Sequence, residues 1–266
     1  MSGGGSGRTD VVASVVLITV KKVAVEVKHD IKNNHSPLYP VNLDIAGKRC
    51  LVVGGGAVAA RKIKALLLCG GVVQIISPTA SSIITRLAES GEIDWLRRTY
   101  RQDDAKDAFL IFAATDDPKV QKQIAEDATR HHVLINSAGD PELSDFHVPA
   151  KIRRRDFVIA VSTGGGSPAL AMLLKAQLAR EYGEEYGILV ELMAKIRRQV
   201  VTRSSVAEEN KALFQSILEL PVLDCIKQSD WAELRRLLSR VLPEEIAAGM
   251  LVDELIDEMD DMRGNG

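Results

Sequence analysis

A glycine-rich segment near residue 55 has the residue types and the spacing that hold a nucleotide phosphate. Gly54, Gly56 and Ala59 occupy the fixed positions of the pattern G-x-G-x-x-A. Where this pattern joins a strand to a helix, the first glycine permits the tight turn and the second lets the backbone approach a pyrophosphate. The N–H groups of the first helical turn, which would contain Ala57 and Val58, then donate to the phosphates. A strand-to-helix turn without a ligand is the alternative interpretation.

The segment after the second expected strand bears on which dinucleotide binds. An Asp or Glu usually stands there and accepts a hydrogen bond from the ribose 2′-hydroxyl. This chain has Ser77, Pro78 and Thr79 instead, and Pro78 and Thr79 are the candidate cofactor contacts. No arginine adjoins that strand end in the sequence to hold a 2′-phosphate, which favours NAD over NADP. Thr115, after a later strand, is a candidate contact to the nicotinamide or its ribose.

Three carboxylates follow strands whose carboxyl ends would face the ligand crevice of an α/β sheet, namely Asp116, Asp117 and Asp140. Asp117 precedes a proline, which favours a helix cap over a catalytic role. Asp140 also precedes a proline and could form a turn. The role of Asp116 stays open.

Residues 151–155 contain the densest basic cluster before the C-terminal helices, formed by Lys151, Arg153, Arg154 and Arg155. Arginine is suited to bidentate binding of carboxylates, so Arg153 and Arg154 are candidates for an anionic substrate. A solvated turn between strands is the alternative for at least two of the four residues.

The run Ser-Thr-Gly-Gly-Gly-Ser at residues 162–167 is a second candidate anion site. It would present backbone N–H groups at the start of a helix, where Ser167 is a good N-cap and Pro168 a good first residue. Thr163, Gly164 and Ser167 are the candidate contacts, and a tight turn without a ligand is the alternative. His147 could ligate iron, but a structural histidine is favoured.

The apolar pattern predicts how these residues are positioned. Short apolar strands alternate with helices and short connections, which is typical of a doubly wound parallel α/β sheet of the Rossmann type. Strands are expected at 49–53, 72–76, 93–100, 109–114, 133–136 and 157–161, and helices at 57–69, 79–90, 118–130 and 168–182. Gly183 and Gly187 are expected to interrupt the helical pattern, and further helices are expected at 188–202, 206–219, 229–240 and 243–262.

Composition limits the function classes. The chain has 266 residues, a hydrophobic fraction of 46% and a formal net charge of -2, so it can build a core but has no global basic field for nucleic acid. Its three cysteines are far apart, which argues against a zinc site and favours a reducing cytoplasm. No metal site is predicted. The apolar run 11–20 is too short to cross a bilayer as a helix, so no membrane segment is expected.

Four motifs together resemble the siroheme synthase N-terminal module family, in the family's order and near its spacing. They are residues 51–62 (Leu-Val-Val-Gly-Gly-Gly-Ala-Val-Ala-Ala-Arg-Lys), residues 113–117 (Ala-Ala-Thr-Asp-Asp), Asn136 with residues 145–150 (Asp-Phe-His-Val-Pro-Ala), and residues 161–170 (Val-Ser-Thr-Gly-Gly-Gly-Ser-Pro-Ala-Leu). The resemblance covers residues 38 to 200.

The resemblance implies an NAD-dependent dehydrogenase that oxidises precorrin-2, a tetrapyrrole, to sirohydrochlorin, with Fe²⁺ insertion in some members. It implies a homodimer with exchanged segments and a tetrapyrrole in the cleft between domains. The implied division is an N-terminal extension (1–36), a Rossmann domain (37–148), a dimerisation segment (149–180) and a helical domain (181–266). The family's base is an Asp after the fifth strand. Gly139 stands at its position, so Asp140 is the first candidate for the catalytic base.

Two alternatives remain from the sequence. One is another Rossmann oxidoreductase that acts on a smaller substrate. The other is a non-catalytic protein that binds a nucleotide or a tetrapyrrole. The motif at residues 163–169 argues against the first alternative, and the missing acidic ribose contact argues against a nucleotide-sensing regulatory domain.

Overall fold

The computed structural model describes residues 37–202 and 207–264, so the predicted extension at residues 1–36 lies outside the described residues. The strands of the described part form a parallel sheet and a separate antiparallel hairpin. They are β1 (Arg49–Val53), β2 (Val72–Ile76), β3 (Asp94–Leu96), β4 (Leu110–Ala113), β5 (Leu134–Ser137), β6 (Ala150–Arg154) and β7 (Phe157–Val161). The helices are α1 (Ala57–Leu67), α2 (Ser82–Glu89), α3 (Pro118–His131), α4 (Pro168–Glu181), α5 (Glu184–Val201), α6 (Ala207–Glu219), α7 (Val222–Gln228), α8 (Trp231–Val241) and α9 (Ala248–Gly264).

The parallel sheet has the strand order β3-β2-β1-β4-β5. The chain reverses its direction of progress across the sheet between β1 and β4, which is where ligands bind in doubly wound folds. Val53 pairs with Ile76 and Ala113, and Ala113 pairs with Ser137, so four strands end level with one another. We call residues 54–58, 77–81, 114–117 and 138–140, which follow these ends, the carboxyl edge. The topology confirms the expected Rossmann-type sheet.

Alternate side chains of β1 enter two different cores, one on each face of the sheet. Cys50 and Val52 pack in the core that includes Ala59 and Ile63 of α1. Leu51 lies in the core that includes Ile124 of α3. All four residues of β4 are buried, as is typical of a parallel strand with neighbours on both sides, here β1 and β5. Each fully buried Leu or Ile side chain contributes about 1.5–3 kcal/mol, so these two cores hold the carboxyl edge in place.

The basic cluster at residues 151–155 lies largely in a strand, so the interpretation of this segment as a solvated turn is corrected. β6 pairs antiparallel with β7, with Lys151 opposite Ala160 and Arg153 opposite Val158. The hairpin turn contains Arg155, whose φ of +52° lies in the left-handed region. The sequence concealed this hairpin because the turn has no glycine and the strand is polar at three of its five positions.

Helices α5 to α9 enclose a core of their own, which includes Leu192, Ile196, Leu234 and Leu238. Gly187 lies inside α5 and is buried, so the predicted interruption there is wrong. Helix α7 was not expected. The second helix begins at Ser82 instead of residue 79, and the third strand ends at Leu96 instead of residue 100. No helix of the described residues combines the length and the apolarity needed to cross a membrane.

Candidate functional site

The turn from β1 into α1 has the geometry of a phosphate cradle. Gly54 has a φ of +117°, and a Cβ there would lie 2.1 Å from the carbonyl oxygen of Ala114, so only glycine fits. Gly56 is the N-cap of α1, and a Cβ there would meet nothing within 4 Å. No side chain of the described residues caps α1, so the N–H groups of its first turn, at Ala57 and Val58, face open space. This arrangement fits a pyrophosphate.

The end of β2 is held by its own backbone and by β3. The buried Ser77 hydroxyl donates to the carbonyl of Thr79 at 2.6 Å, and the Trp95 indole donates to the carbonyl of Ser77 at 2.9 Å. Pro78 and Thr79 are exposed beside the glycine turn. Arg97 stacks over the Trp95 ring, 4.3 Å from its centre. The sequence placed no arginine near this strand end, and the structure corrects that because β3 pairs with β2.

The end of β4 carries Thr115 and the two acidic residues. The Thr115 hydroxyl accepts a hydrogen bond from the N–H of Asp117 at 3.3 Å, and the Thr115 carbonyl accepts one from the Gln121 carboxamide at 2.5 Å. Asp117 accepts from the N–H of Lys119 at 2.9 Å, which confirms its predicted role as the N-cap of α3. Asp116 is exposed at the carboxyl edge.

Asp140 follows β5 and caps a short 3₁₀ turn, Pro141–Leu143. Its Oδ1 accepts from the N–H of Glu142 at 3.0 Å, and its own N–H donates to the Ser137 hydroxyl at 3.3 Å. The side chain is half-buried. Asp140 therefore acts as a turn residue through Oδ1. Among the described residues, no hydrogen bond is made to its other carboxylate oxygen, Oδ2.

Gln121 of α3 joins the ends of β4 and β5, and sequence reasoning missed it. Its carboxamide is buried, donates to the Thr115 carbonyl and accepts from the Ser137 hydroxyl at 3.2 Å. A Cβ on Gly139 would lie 2.5 Å from Gln121 Nε2, so Gln121 fills the space beside Gly139. An open pocket of about 580 Å³ lies here, lined by Asp116, Pro118, Gln121, Lys122, Gly139, Asp140 and Leu143. The only sequence signal was a polar residue on the apolar face of α3.

The two candidate arginines of β6 point in different directions. Arg154 donates to the carbonyls of Tyr182 at 3.2 Å and Ala179 at 3.3 Å, and it pairs with Glu184 at 3.3 Å. Arg154 therefore stabilises the end of α4. Arg153 reaches Cys69, beyond the end of α1, at 3.7 Å, and its Nε is buried and has no hydrogen-bond partner among the described residues.

The turn between β7 and α4 is closed by its own hydrogen bonds. The Thr163 hydroxyl accepts from the N–H of Ser167 at 3.1 Å, and the Ser167 side chain accepts from the N–H of Leu170 at 3.3 Å, which confirms Ser167 as the N-cap. Gly164 has a φ of +60° and faces open space. No hydrogen bond or ion pair within residues 37–202 joins this turn to the carboxyl edge. The structure thus groups the cofactor candidates and Asp140 at one edge and leaves Thr163, Gly164 and Ser167 on another element.

His147, the possible iron ligand, is exposed and lies outside any strand. Within the described residues, no group of three or more His, Cys, Asp or Glu side chains is arranged to hold a metal ion.

Comparison with known proteins adds three findings. Residues 41–150 match a family model described as putative NAD(P)-binding. The chain is 34% identical to the siroheme synthase of Nitrosococcus oceani over 180 residues, which are 68% of this chain and 38% of that protein. It is 33% identical to the siroheme synthase of Chromobacterium violaceum over 211 residues, which are 79% of this chain and 44% of that protein. The chain therefore spans less than half the length of these curated relatives.

A solved structure is similar over nearly its whole length. The structure of SirC, precorrin-2 dehydrogenase, shares 28% sequence identity with this chain at a TM-score of 0.64. The match covers 77% of this chain and 98% of SirC.

Proposed function

The chain belongs to the siroheme synthase N-terminal module family, and from this membership we propose that it is a precorrin-2 dehydrogenase that uses NAD⁺. The observation that carries the proposal is the match over 98% of SirC, a precorrin-2 dehydrogenase. The open cradle at Gly54 and Gly56 supports the cofactor part of the proposal, since a pyrophosphate can approach the backbone there.

The oxidation of precorrin-2 to sirohydrochlorin removes two electrons and two protons, as one hydride and one proton. Bound NAD⁺ supplies the hydride acceptor. On the protein side, Gly54, Gly56, Ala57 and Val58 would hold the pyrophosphate. Contacts farther along the dinucleotide would come from Pro78, Thr79 and Thr115.

Asp140 would take the proton that accompanies hydride transfer. Its position at the carboxyl edge and its second carboxylate oxygen, which is not used by the turn, support this role. The acetate and propionate groups of the tetrapyrrole would bind Arg153, Arg154, Thr163, Gly164 and Ser167. Of the two arginines, Arg153 is the more available, because Arg154 already binds the end of α4.

The finer parts of the proposal concern assembly and location. We propose that the chain forms a homodimer. We also propose that it is divided into an N-terminal extension (1–36), a Rossmann domain (37–148), a dimerisation segment (149–180) and a helical domain (181–266). The dimer is supported by the exposed apolar side chains of α4. We also propose that the protein acts in the cytoplasm, where its free cysteines Cys50, Cys69 and Cys225 would stay reduced.

An anaerobic assay with precorrin-2 and NAD⁺ tests the proposal. NADH and sirohydrochlorin should appear together, at equal rates, and NADP⁺ is tested in parallel because Arg97 lies beside the end of β2. Absence of turnover with both cofactors would overturn the proposed function. Adding Fe²⁺ afterwards tests insertion, because siroheme formed faster than without protein would add a second activity.

The Asp140→Asn variant tests the base. Asn accepts the hydrogen bond from the N–H of Glu142 as Asp does, so the turn and the fold are retained. We expect kcat to fall by roughly 100-fold, the usual contribution of a general base, with the KM for NAD⁺ unchanged. A kcat within threefold of wild type would show that Asp140 is a turn residue only. Asp116→Asn is the comparison variant, because Asp116 is the rival carboxylate of the same pocket, and a larger fall in kcat there would assign the base to Asp116.

A further inference from the structure

Lys62 extends from α1 across the sheet to β5. Its ammonium group donates to Asn136 Oδ1 at 3.2 Å and lies 4.6 Å from the centre of the Phe112 ring in β4. Asn136 is itself fixed, because its Nδ2 donates to the carbonyl of Phe146 at 2.8 Å. One hydrogen bond of the ammonium is therefore provided by the fold, and the other two N–H groups remain for a ligand.

The surroundings of Lys62 are positively charged. Burial, together with the neighbouring charges of Arg61 and Lys151, lowers the pKa of Lys62 to about 8. No carboxylate of the described residues forms an ion pair with Lys62. A half-buried cation without a counter-ion is unfavourable for stability, so its presence needs another explanation.

Arg153 lies on the same face of β6 as Lys151 and adds a third positive charge to those of Lys62 and Lys151. Arg153 is two residues from Lys151, so both side chains lie on the face of the strand that points towards α1. Arg153 approaches Cys69, and its Nε is buried with no hydrogen-bond partner in the described part of the chain. Lys62, Lys151 and Arg153 thus line the junction between α1 and β6, and we call this set the junction cations.

We propose that the junction cations bind a carboxylate of the tetrapyrrole substrate, with Lys62 as the principal donor. This inference rests on the proposed function. A dinucleotide phosphate is the other source of an anion, but the phosphate cradle is at the start of α1. Lys62 is five residues from Ala57, about 7.5 Å along the helix, and its ammonium has passed β4 to reach β5.

Binding of sirohydrochlorin and of NAD⁺ to the wild-type chain and three variants tests the proposal. Lys62→Met removes the charge but keeps the length of the side chain, and Lys62→Arg keeps the charge. Lys64→Met is the matched control, because Lys64 is an exposed lysine of the same helix. Dissociation constants would be measured at pH 7 by tetrapyrrole absorbance and by NAD⁺ titration calorimetry, with circular dichroism to verify folding.

We expect the dissociation constant for sirohydrochlorin to rise about tenfold in Lys62→Met, the usual effect of losing one charged hydrogen bond, and less than threefold in Lys62→Arg and Lys64→Met. NAD⁺ binding should be unchanged in all three. Weaker NAD⁺ binding in Lys62→Met would overturn the proposal in favour of the dinucleotide. Equal sirohydrochlorin binding in Lys62→Met and wild type would overturn it outright. If wild type neither binds sirohydrochlorin nor turns over precorrin-2, the proposed function itself fails.

Binding to Lys62→Arg decides the outcome if Lys62→Met does not fold, because a tenfold loss with the charge retained would also contradict the proposal. The pH dependence is a second readout. Wild-type affinity for sirohydrochlorin should fall above pH 8, where Lys62 loses its proton, and affinity of Lys62→Arg should stay constant to pH 10. Equal pH profiles for the two proteins would overturn the role of Lys62.

Discussion

Lys62 is a half-buried cation whose removal should stabilise the fold in a pH-dependent manner. Its pKa is about 8 in the folded chain, below the ordinary value of 10.5, so the folded state binds the proton less tightly than the unfolded state. The charge therefore destabilises the fold below pH 8, and this penalty disappears as the pH rises from 8 to 10.5. Lys62→Met should raise the free energy of unfolding at pH 7 and give a smaller gain at pH 10.

Urea unfolding of wild type, Lys62→Met and Lys64→Met at the two pH values checks this prediction. The exposed Lys64 should give no gain at either pH. A lower stability of Lys62→Met at pH 7 would mean that the contacts to Asn136 and Phe112 stabilise the fold more than burial of the charge destabilises it.

Gly139 and Gln121 form a sterically coupled pair. A Cβ at residue 139 would lie 2.5 Å from Gln121 Nε2, so Gly139→Asp should destabilise the chain by about 1–3 kcal/mol through overpacking. Gln121→Ala removes the obstructing carboxamide at the cost of its two hydrogen bonds. In the double variant the two losses should not add, and the coupling should be about 0.5–3 kcal/mol.

A double-mutant cycle measured by urea unfolding gives this coupling. Additive losses would show that Gln121 swings away from residue 139 without cost. Gly249→Asp is the control, since nothing lies within 4 Å of a Cβ there and its φ, like that of Gly139, lies outside the left-handed region.

Side chains whose role depends on near neighbours in the chain were predictable, and those that depend on the sheet were not. The caps formed by Asp117 and Ser167 bond to N–H groups two or three residues ahead, so the local sequence contains the whole signal. Arg97 comes beside Ser77 only because β3 pairs with β2. Lys62 and Asn136 meet across β4, and no pattern in either segment indicates the pairing.

At the level of elements, the contact between β6 and α5 depends on a glycine. Gly187 is buried in α5, and a Cβ there would lie 2.6 Å from the backbone oxygen of Arg154. Backbone cannot move aside as a flexible side chain can, so Gly187→Ala should destabilise the chain by about 1–3 kcal/mol. The control is Gly249→Ala in α9, where the Cβ meets nothing and the change should stabilise by up to about 1 kcal/mol.

Thermal unfolding of the two variants checks this contrast. Equal midpoints would mean that α5 shifts away from β6 without losing its packing. The sequence suggested the opposite role for Gly187, a break in the helix, because a glycine in an exposed helix lowers helical propensity. The need for close approach to Arg154 is a tertiary requirement, and it overrides that propensity.

Parallel strands were easier to predict than the hairpin for a physical reason. β1 and β4 are buried on both faces and read as continuous apolar runs. β6 has four polar or small residues and one fully buried residue, Ile152, so it lacks the apolar signal of a strand. β6 is recognised as a strand by its pairing with β7, which only the folded chain shows.

At the scale of the whole molecule, the hairpin connects two separately packed regions. The sheet and its helices bury one set of apolar side chains, and helices α5 to α9 bury another. Arg153 of β6 reaches Cys69 on the sheet side, and Arg154 of the same strand binds carbonyls at the end of α4. The junction cations therefore lie between the two regions, so a change in how the regions pack would change the proposed carboxylate site.

Helix α4 has an exposed apolar surface. Leu170, Met172 and Leu173 are exposed by 46%, 56% and 55%, and Ala171 is the one residue of this helix that is buried. A surface of this kind is costly in water and is typical of an interface between copies of a chain. We expect light scattering to give twice the chain mass of 28.9 kDa.

Leu173→Glu should shift the protein to the single-chain mass, because a carboxylate would be buried without a partner in the interface. The control is Leu218→Glu, since Leu218 is equally exposed, at 57%, but lies on α6. A monomeric wild type would contradict the dimer. Dissociation by Leu218→Glu alone would place the interface on the helical region, and the exposed face of α4 would then be available to the tetrapyrrole or to the turn at residues 162–167.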